Sequence, residues 1–211
     1  MTKIILVRHG HVEGIAPERF RGRAELALTE LGRRQAAAVA QRIAAEWPVA
    51  AVYTSPMGRC VETGGAIAQR TGAPAEATGL LTDLDYGAWT WKTYDEVGAA
   101  EPELFRRWFD APQLVRFPGG ESLQNLVARS ADAVRQVMDA HPDGVVVLVA
   151  HDSVNRAMLL QLLDQPLAAY WRLAQSPCAI NEIDIVHGRI KVRRINDTAH
   201  LDGAPSRQTE S

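Results

Sequence analysis

The segment Ile4-Ile5-Leu6-Val7-Arg8-His9-Gly10 constrains this chain more than any other. Four consecutive apolar residues, three of them β-branched, predict a strand covered on both faces, as in a parallel sheet with helices above and below. A fixed cation, an imidazole and a glycine follow at once. In open α/β sheets ligands bind outside the carboxyl ends of the strands, so an Arg-His pair at this point would meet a substrate. The glycine lets the backbone turn and approach a ligand closely. Alone, the tripeptide fits polar residues leaving a strand equally well; the rest of the chain decides.

Two more apolar runs follow the same plan. Val49 to Thr54 reads as a second strand and Val145 to Ala150 as a third, the latter ending in His151. Between them lie helical patterns. Thr29 reads as an N-cap before a face of Leu31, Ala36, Val39, Ala40, Ile43 and Trp47, which Pro48 stops. Ser55-Pro56 predicts another helix start, with Ser55 as cap and Arg59 in the first turn, where the helix dipole favours an anion. Ser122 caps a helix after the Pro118-Gly119-Gly120 turn, and Asp152 or Ser153 caps one after His151. Residues 10–28 read as a long loop, residues 79–118 as an insertion of short helices that lids the sheet, and residues 179–186 and 189–195 as a hairpin. The expected fold is α/β: a single-domain three-layer sandwich, mostly parallel in its central sheet, with helices on both faces. The domain spans residues 1–200, and residues 201–211 form a polar C-terminal tail.

Composition narrows the function classes. A net charge of −2 gives no overall field for nucleic acid or an anionic membrane, and no apolar run approaches membrane-spanning length. Cys60 and Cys178 lack metal or disulfide spacing and read as buried thiols. The chain enters a strand directly after Met-Thr-Lys, which leaves no room for a signal peptide, so a cytoplasmic location is expected.

The expected strand ends deliver Arg8, His9, Arg59 and His151 to one edge. Two guanidiniums, two imidazoles and two helix N-termini suit a phosphoryl group, because arginine forks match its oxygens and helix-end amides point at it. An imidazole nitrogen there could attack phosphorus, with the arginines stabilising the equatorial oxygens. The ring must be neutral to attack, a state the neighbouring cations favour. A departing alcohol needs a proton, which calls for a carboxylic acid near the pocket mouth.

These residues resemble those of the histidine phosphatase superfamily, in the branch of the cofactor-dependent phosphoglycerate mutases and broad-specificity phosphatases. The resemblance rests on Arg8-His9-Gly10, the run Leu28 to Ala36, the run Thr54 to Thr63, Pro118-Gly119-Gly120-Glu121-Ser122 and Val149-Ala150-His151, five motifs in order. It implies that His9 is transiently phosphorylated and that Arg8, Arg59 and His151 clamp the phosphate. The family's proton donor is usually a glutamate four residues before the glycine of a Φ-G-x-W motif. Here that glycine is Gly87, so the matching residue is Asp83, one methylene shorter. Asp152 is a rival acid, because another branch carries a donor aspartate after the second histidine; its local alternative is an N-cap. Motif position favours Asp83. Val12 and Ile15 stand where relatives often carry a hydroxyl residue and an asparagine, which leaves Arg21, Glu121 and Asn155, with Asp152, as candidates to line the substrate site. Trp89-Thr90-Trp91 replaces the common Trp-Glu-Gly and predicts a more aromatic rim.

The resulting expectation is a metal-independent phosphomonoesterase with no cofactor, acting on a small phosphorylated metabolite. Three alternatives remain. A phosphoglycerate mutase would need a long charged insertion before the Gly-Gly-Glu motif, and only residues 88–118 occupy that gap. A metal hydrolase could draw on His9, His11, His151 and Asp152, although two arginines would crowd the cation. A catalytically weak phospho-ligand-binding module would bind phosphate without turnover. Apolar stripes fit a core and a homodimer interface equally well, so the oligomeric state stays open.

Overall fold

The computed structural model describes residues 1–201; residues 202–211 of the expected polar tail lie outside them. Six strands form one sheet: β1 (Thr2–Arg8), β2 (Val49–Thr54), β3 (Ala75–Ala77), β4 (Val145–Ala150), β5 (Ile180–Val186) and β6 (Arg189–Asp197). Their order is β3-β2-β4-β1-β5-β6. The first four are parallel to one another, and the β5–β6 hairpin adds antiparallel to β1. β3 has no counterpart in the sequence reading. It is a three-residue, exposed Ala-Glu-Ala segment whose only strand signal is its pairing with β2.

The pleat divides the apolar runs between two cores. Ile4 and Leu6 of β1, with Val146 and Leu148 of β4, face a core closed by α5 (Leu123–Ala140) and α6 (Asp152–Leu162). Ile5 and Val7, with Val147 and Val149, face the opposite core, closed by α1 (Glu30–Glu46) and α2 (Gly58–Thr71). This is the three-layer α/β sandwich, and it explains why these strands lack polar alternation. Residues 79–118 contribute α3 (Tyr94–Ala100), α4 (Pro102–Asp110) and single helical turns around them. Their aromatic rings (Trp89, Tyr94, Phe105, Trp108, Phe117) pack with Phe20 and Tyr86 into one connected cap.

Local chemistry sets most of the helix ends. The Thr29 hydroxyl accepts from the Gly32 amide at 3.1 Å and caps α1. Ser122 caps α5 in a reciprocal arrangement with Asn125. Two expected caps are corrected. α2 starts at Gly58, not Pro56, with Met57 at the capping position, and the Ser55 hydroxyl is directed at His151 instead. His151 itself, in extended backbone, occupies the cap of α6, so Asp152 is the first helical residue and caps nothing.

The loop after β1 is pressed against the start of α1. A Cβ on Gly10 would lie 2.5 Å from the Gly32 carbonyl oxygen, and one on Gly32 would lie 2.2 Å from that of His11. Gly65, within α2, has no neighbour in the way of a Cβ. Gly32→Ala is therefore expected to destabilise the fold by about 1–3 kcal/mol, and Gly65→Ala to stabilise it by about 0.5–1 kcal/mol. Urea unfolding midpoints check both, and a neutral Gly32→Ala would contradict the packing described.

Candidate active site

The three central parallel strands end level with one another: Arg8 pairs with Ala150, and Thr54 with Val149. The residues that follow, His9, Ser55 and His151, therefore meet at one edge. His9, Arg59 and His151 are at most 2% exposed, and Arg8 and Asp83 are buried as well.

The hydrogen bonds of His9 define its protonation state. Its Nδ1 lies 2.7 Å from the Gly10 carbonyl, which can only accept, so Nδ1 carries the proton. Nε2 is left with its lone pair, and the Arg59 Nε–H donates to it at 3.2 Å. Burial first, then the charges of Arg59, His151 and Arg8, hold the His9 pKa well below the ordinary value of 6.5. Gly10 N–H donates to Thr63 Oγ1 at 3.1 Å, and that hydroxyl donates to the Arg59 carbonyl one turn earlier on α2.

Arg59 is fully buried and extensively engaged. Its terminal nitrogens donate to the carbonyls of Ala24 (2.8 Å) and Gly22 (2.7 Å), which ties the long 10–28 loop over the site. Nη2 also lies 3.2 Å from Asp83 Oδ2. Asp83 Oδ1 accepts from the Leu84 amide at 2.8 Å and from the Ser153 hydroxyl, and Oδ2 sits 3.5 Å from His151 Nδ1. His151 Nε2 lies 2.8 Å from Ser55 Oγ. The two imidazoles are edge to face with centroids 5.2 Å apart. Burial, then Arg59 and Arg8, also holds His151 well below 6.5. Arg8 donates to the Gln175 carbonyl, and its Nε has no partner; burial lowers its pKa to about 10.

The other candidates stand further out. The Asn155 amide is buried between the Arg8 amide nitrogen and the His151 carbonyl, each 3.2 Å away, and braces the two strand ends from below. Arg21 donates to the Gly14 carbonyl at 2.7 Å. Asp152 pairs with Arg156 along α6. Glu121 does not touch the central five: it accepts from Arg129, Arg23 and the Asp85 amide. That network holds the segment bearing Asp83. Arg129 of α5 donates to the carbonyls of Leu80, Thr82 and Asp83, and the Asp85–Gly87 turn interlocks with Pro118-Gly119-Gly120 through Ala88 N–H to Pro118 O and Glu121 N–H to Asp85 O. His11 turns away to Thr29 Oγ1 at 2.9 Å, so it does not join His9 in the ligand set the metal alternative needs. Among the described residues no three His, Cys, Asp or Glu side chains are grouped to hold a metal ion. A surface cavity of about 460 Å³ opens beside the loop after β1, between His11, Glu13, Ile15, Arg19 and Trp91, and none of the central five lines it.

Sequence reasoning missed Ser55, Thr63, Ser153, Arg129, Gln175 and Asn181. Asn181, a polar residue inside the apolar β5, was the one visible signal: it donates to the Leu6 carbonyl at 3.0 Å and bonds Gln175, whose carbonyl holds Arg8.

The family model for the histidine phosphatase superfamily, branch 1, matches residues 4–198. The chain is a member of that superfamily. It is 32% identical over 201 residues to phosphoserine phosphatase 1 of Hydrogenobacter thermophilus, covering 95% of each protein. It is 31% identical over 208 residues to a probable phosphoglycerate mutase of Cronobacter sakazakii, covering 96% of each. The solved structure of Bacillus stearothermophilus YhfR superposes with a TM-score of 0.90 at 28% identity, over 95% of this chain and 100% of that one. This histidine phosphatase is thus a phosphomonoester hydrolase by family and by its phosphatase relatives. No helix among its described residues is long and apolar enough to cross a membrane.

The histidine pair gives the fold a specific pH dependence. Folded, both rings resist protonation well below 6.5; unfolded, both protonate near it. Below pH 6.5 the unfolded chain holds more protons, so stability rises with pH through this window and is lost as pH falls. Each ring contributes a slope of about 0.7 kcal/mol per pH unit at pH 6.5, where the unfolded ring is half protonated, and about 1 kcal/mol over the pH unit below it. His9→Gln should lower the slope between pH 6.5 and 5.5 by about that amount in urea unfolding at a series of pH values; an unchanged slope would mean that His9 protonates freely in the fold.

Proposed function

We propose that this histidine phosphatase hydrolyses a small phosphorylated metabolite through a phosphohistidine on His9, with Asp83 as proton donor and without a metal or cofactor. The single observation that carries this reading is the tautomer of His9: Nδ1–H is committed to the Gly10 carbonyl, and the Nε2 lone pair faces the arginine side of the pocket. Nε2 attacks phosphorus, and the bond from phosphorus to the ester oxygen breaks. Arg8, Arg59 and His151 surround the phosphoryl oxygens, where their N–H groups offset charge developing in the transition state. The Asp83 carboxyl gives its proton to the departing alkoxide. Water then attacks the phosphohistidine, its proton passes to the Asp83 carboxylate, and phosphate leaves with His9 restored.

Placement favours Asp83 over Asp152 as the acid. Asp83 touches both Arg59 and His151, whereas Asp152 is turned along its helix to Arg156. The network that holds the segment bearing Asp83 gives Glu121 a positioning role, and Asn155 likewise braces the backbone at Arg8 and His151 from beneath. A small substrate fits the enclosed site and the name of the Hydrogenobacter relative. Residues 88–118 fold into short helices that carry most of the aromatic cap, in place of the long charged insertion expected of a mutase.

Hydrolysis of p-nitrophenyl phosphate and of an alkyl phosphate in excess chelator tests the scheme. His9→Ala should lose about three orders of magnitude or more, with no acid-labile phosphoprotein on quenching. Asp83→Asn should lose about 100-fold on the alkyl phosphate and much less on p-nitrophenyl phosphate, whose leaving group needs no proton. Asp152→Asn should lose less than Asp83→Asn on both. Turnover abolished by the chelator would overturn the metal-free reading, and equal losses on both esters would remove Asp83 as the acid.

A further inference from the structure

Transfer of a phosphoryl group to His9 needs an N–H from His151, not a lone pair, toward the phosphoryl oxygens. A neutral imidazole has one such hydrogen, carried on one of its two nitrogens. His151 is neutral at pH 7, because burial and the charges of Arg59 and Arg8 hold its pKa well below 6.5. Its tautomer therefore decides whether the ring attracts or repels a bound phosphate.

The surroundings of the two nitrogens differ. Nδ1 lies 3.5 Å from Asp83 Oδ2, an oxygen that accepts from Arg59. Nε2 meets Ser55 Oγ at 2.8 Å. Ser55 is fully buried just beyond β2, and its amide donates to the Val149 carbonyl at 3.0 Å. That bond fixes it to the strand that delivers His151. The Ser55 oxygen accepts from the Met57 amide at 3.4 Å.

One hydrogen lies between Oγ and Nε2, and it belongs to one of them. Placed on Nε2, it leaves a bare lone pair on Nδ1 facing Asp83 Oδ2, itself an acceptor. It also strands the Ser55 hydroxyl hydrogen in a dry interior, since among the described residues Nε2 is its one oxygen or nitrogen partner in reach. Placed on Oγ, it satisfies Nε2 and leaves Nδ1–H aimed at an acceptor. Cys60 does not compete. Its Sγ lies 3.5 Å from Nε2, but burial keeps the thiol protonated, and it donates to the Ala150 carbonyl at 3.4 Å.

We infer that Ser55 is a positioning residue whose hydroxyl, by donating to Nε2, holds His151 as the Nδ1–H tautomer and turns that hydrogen toward the phosphoryl group. His9 and His151 then carry their protons on the same ring atom to opposite ends: His9 presents a lone pair to phosphorus, and His151 presents a donor to its oxygens. The consequence for catalysis rests on the phosphatase reading of this site; the tautomer is read without turnover.

Nitrogen-15 NMR of the imidazole-labelled full chain at pH 7 tests the assignment, with the His151 signals identified by their loss in His151→Gln. The parent should show Nδ1–H, and Ser55→Ala a mixture of the two tautomers. With p-nitrophenyl phosphate, Ser55→Ala should lower kcat/KM by about ten-fold or more. Ser55→Thr, which keeps a hydroxyl, should retain Nδ1–H and most of the activity. Cys60→Ala, which trims an equally buried neighbour of the same ring, should also retain Nδ1–H. An Nε2–H tautomer in the parent, an undiminished Nδ1–H in Ser55→Ala, or the same mixture in Cys60→Ala would overturn the assignment. A mixed tautomer with unchanged kcat/KM would overturn the positioning role. A parent that holds Nδ1–H only while Ser55 is present, yet turns over no phosphate ester, would sink the phosphatase reading and leave the tautomer assignment standing.

Discussion

The buried guanidinium of Arg59 is the interaction on which the site depends. One side chain reaches the nucleophilic nitrogen of His9, the carboxylate of Asp83 and two carbonyls of the loop after β1. Those acceptors lie up to 50 residues from Arg59 in sequence. Such a cation could not be buried without them. With them, it holds a neutral imidazole, an acid and a cover loop in one arrangement. The position of Arg59 follows in turn from the sheet: β2 ends beside β4, and α2, which starts just after β2, packs over those two strands.

The rest of the molecule keeps that arrangement rigid and dry. Asn181 sits in β5, fixes Gln175, and through it Arg8. Arg129 binds the carbonyls around Asp83, and Glu121 joins Arg129 to the turn that follows. The aromatic cap is continuous with the core closed by α5 and α6 and ends at Trp171, where Arg156 is stacked. Burial lowers the proton affinity of both imidazoles more than any single neighbouring charge does. The cap and loop therefore do chemical work simply by excluding water.

What could be read from the sequence were the features whose cause is local. Apolar runs marked β1, β2 and β4, because a strand covered on both faces has no room for polar residues. Thr29 and Ser122 marked helix starts, because a cap bonds amides two or three residues away. Arg8, His9, Arg59 and His151 stood at strand ends or one turn beyond, and the fold brings them together with Asp83. Features set by distant partners were hidden. Ser55 looked like a cap, but its hydroxyl is held by a histidine 96 residues on. Asp152 looked like a cap, but the extended backbone of His151 takes that position. β3 exists only because β2 offers a free edge. Gln175 acts through its main-chain carbonyl, which no side-chain pattern can announce.

His9 rests in the fold as a neutral ring with its proton on Nδ1 and its lone pair on Nε2, and the chemistry of the site depends on it. Nitrogen-15 NMR of imidazole-labelled protein reads both the charge and the tautomer of this ring directly. An Nδ1–H tautomer is expected to persist, unprotonated at Nε2, as the pH is lowered from 7 to well below 6.5. An imidazolium at pH 6, or a neutral ring with its proton on Nε2, would contradict it.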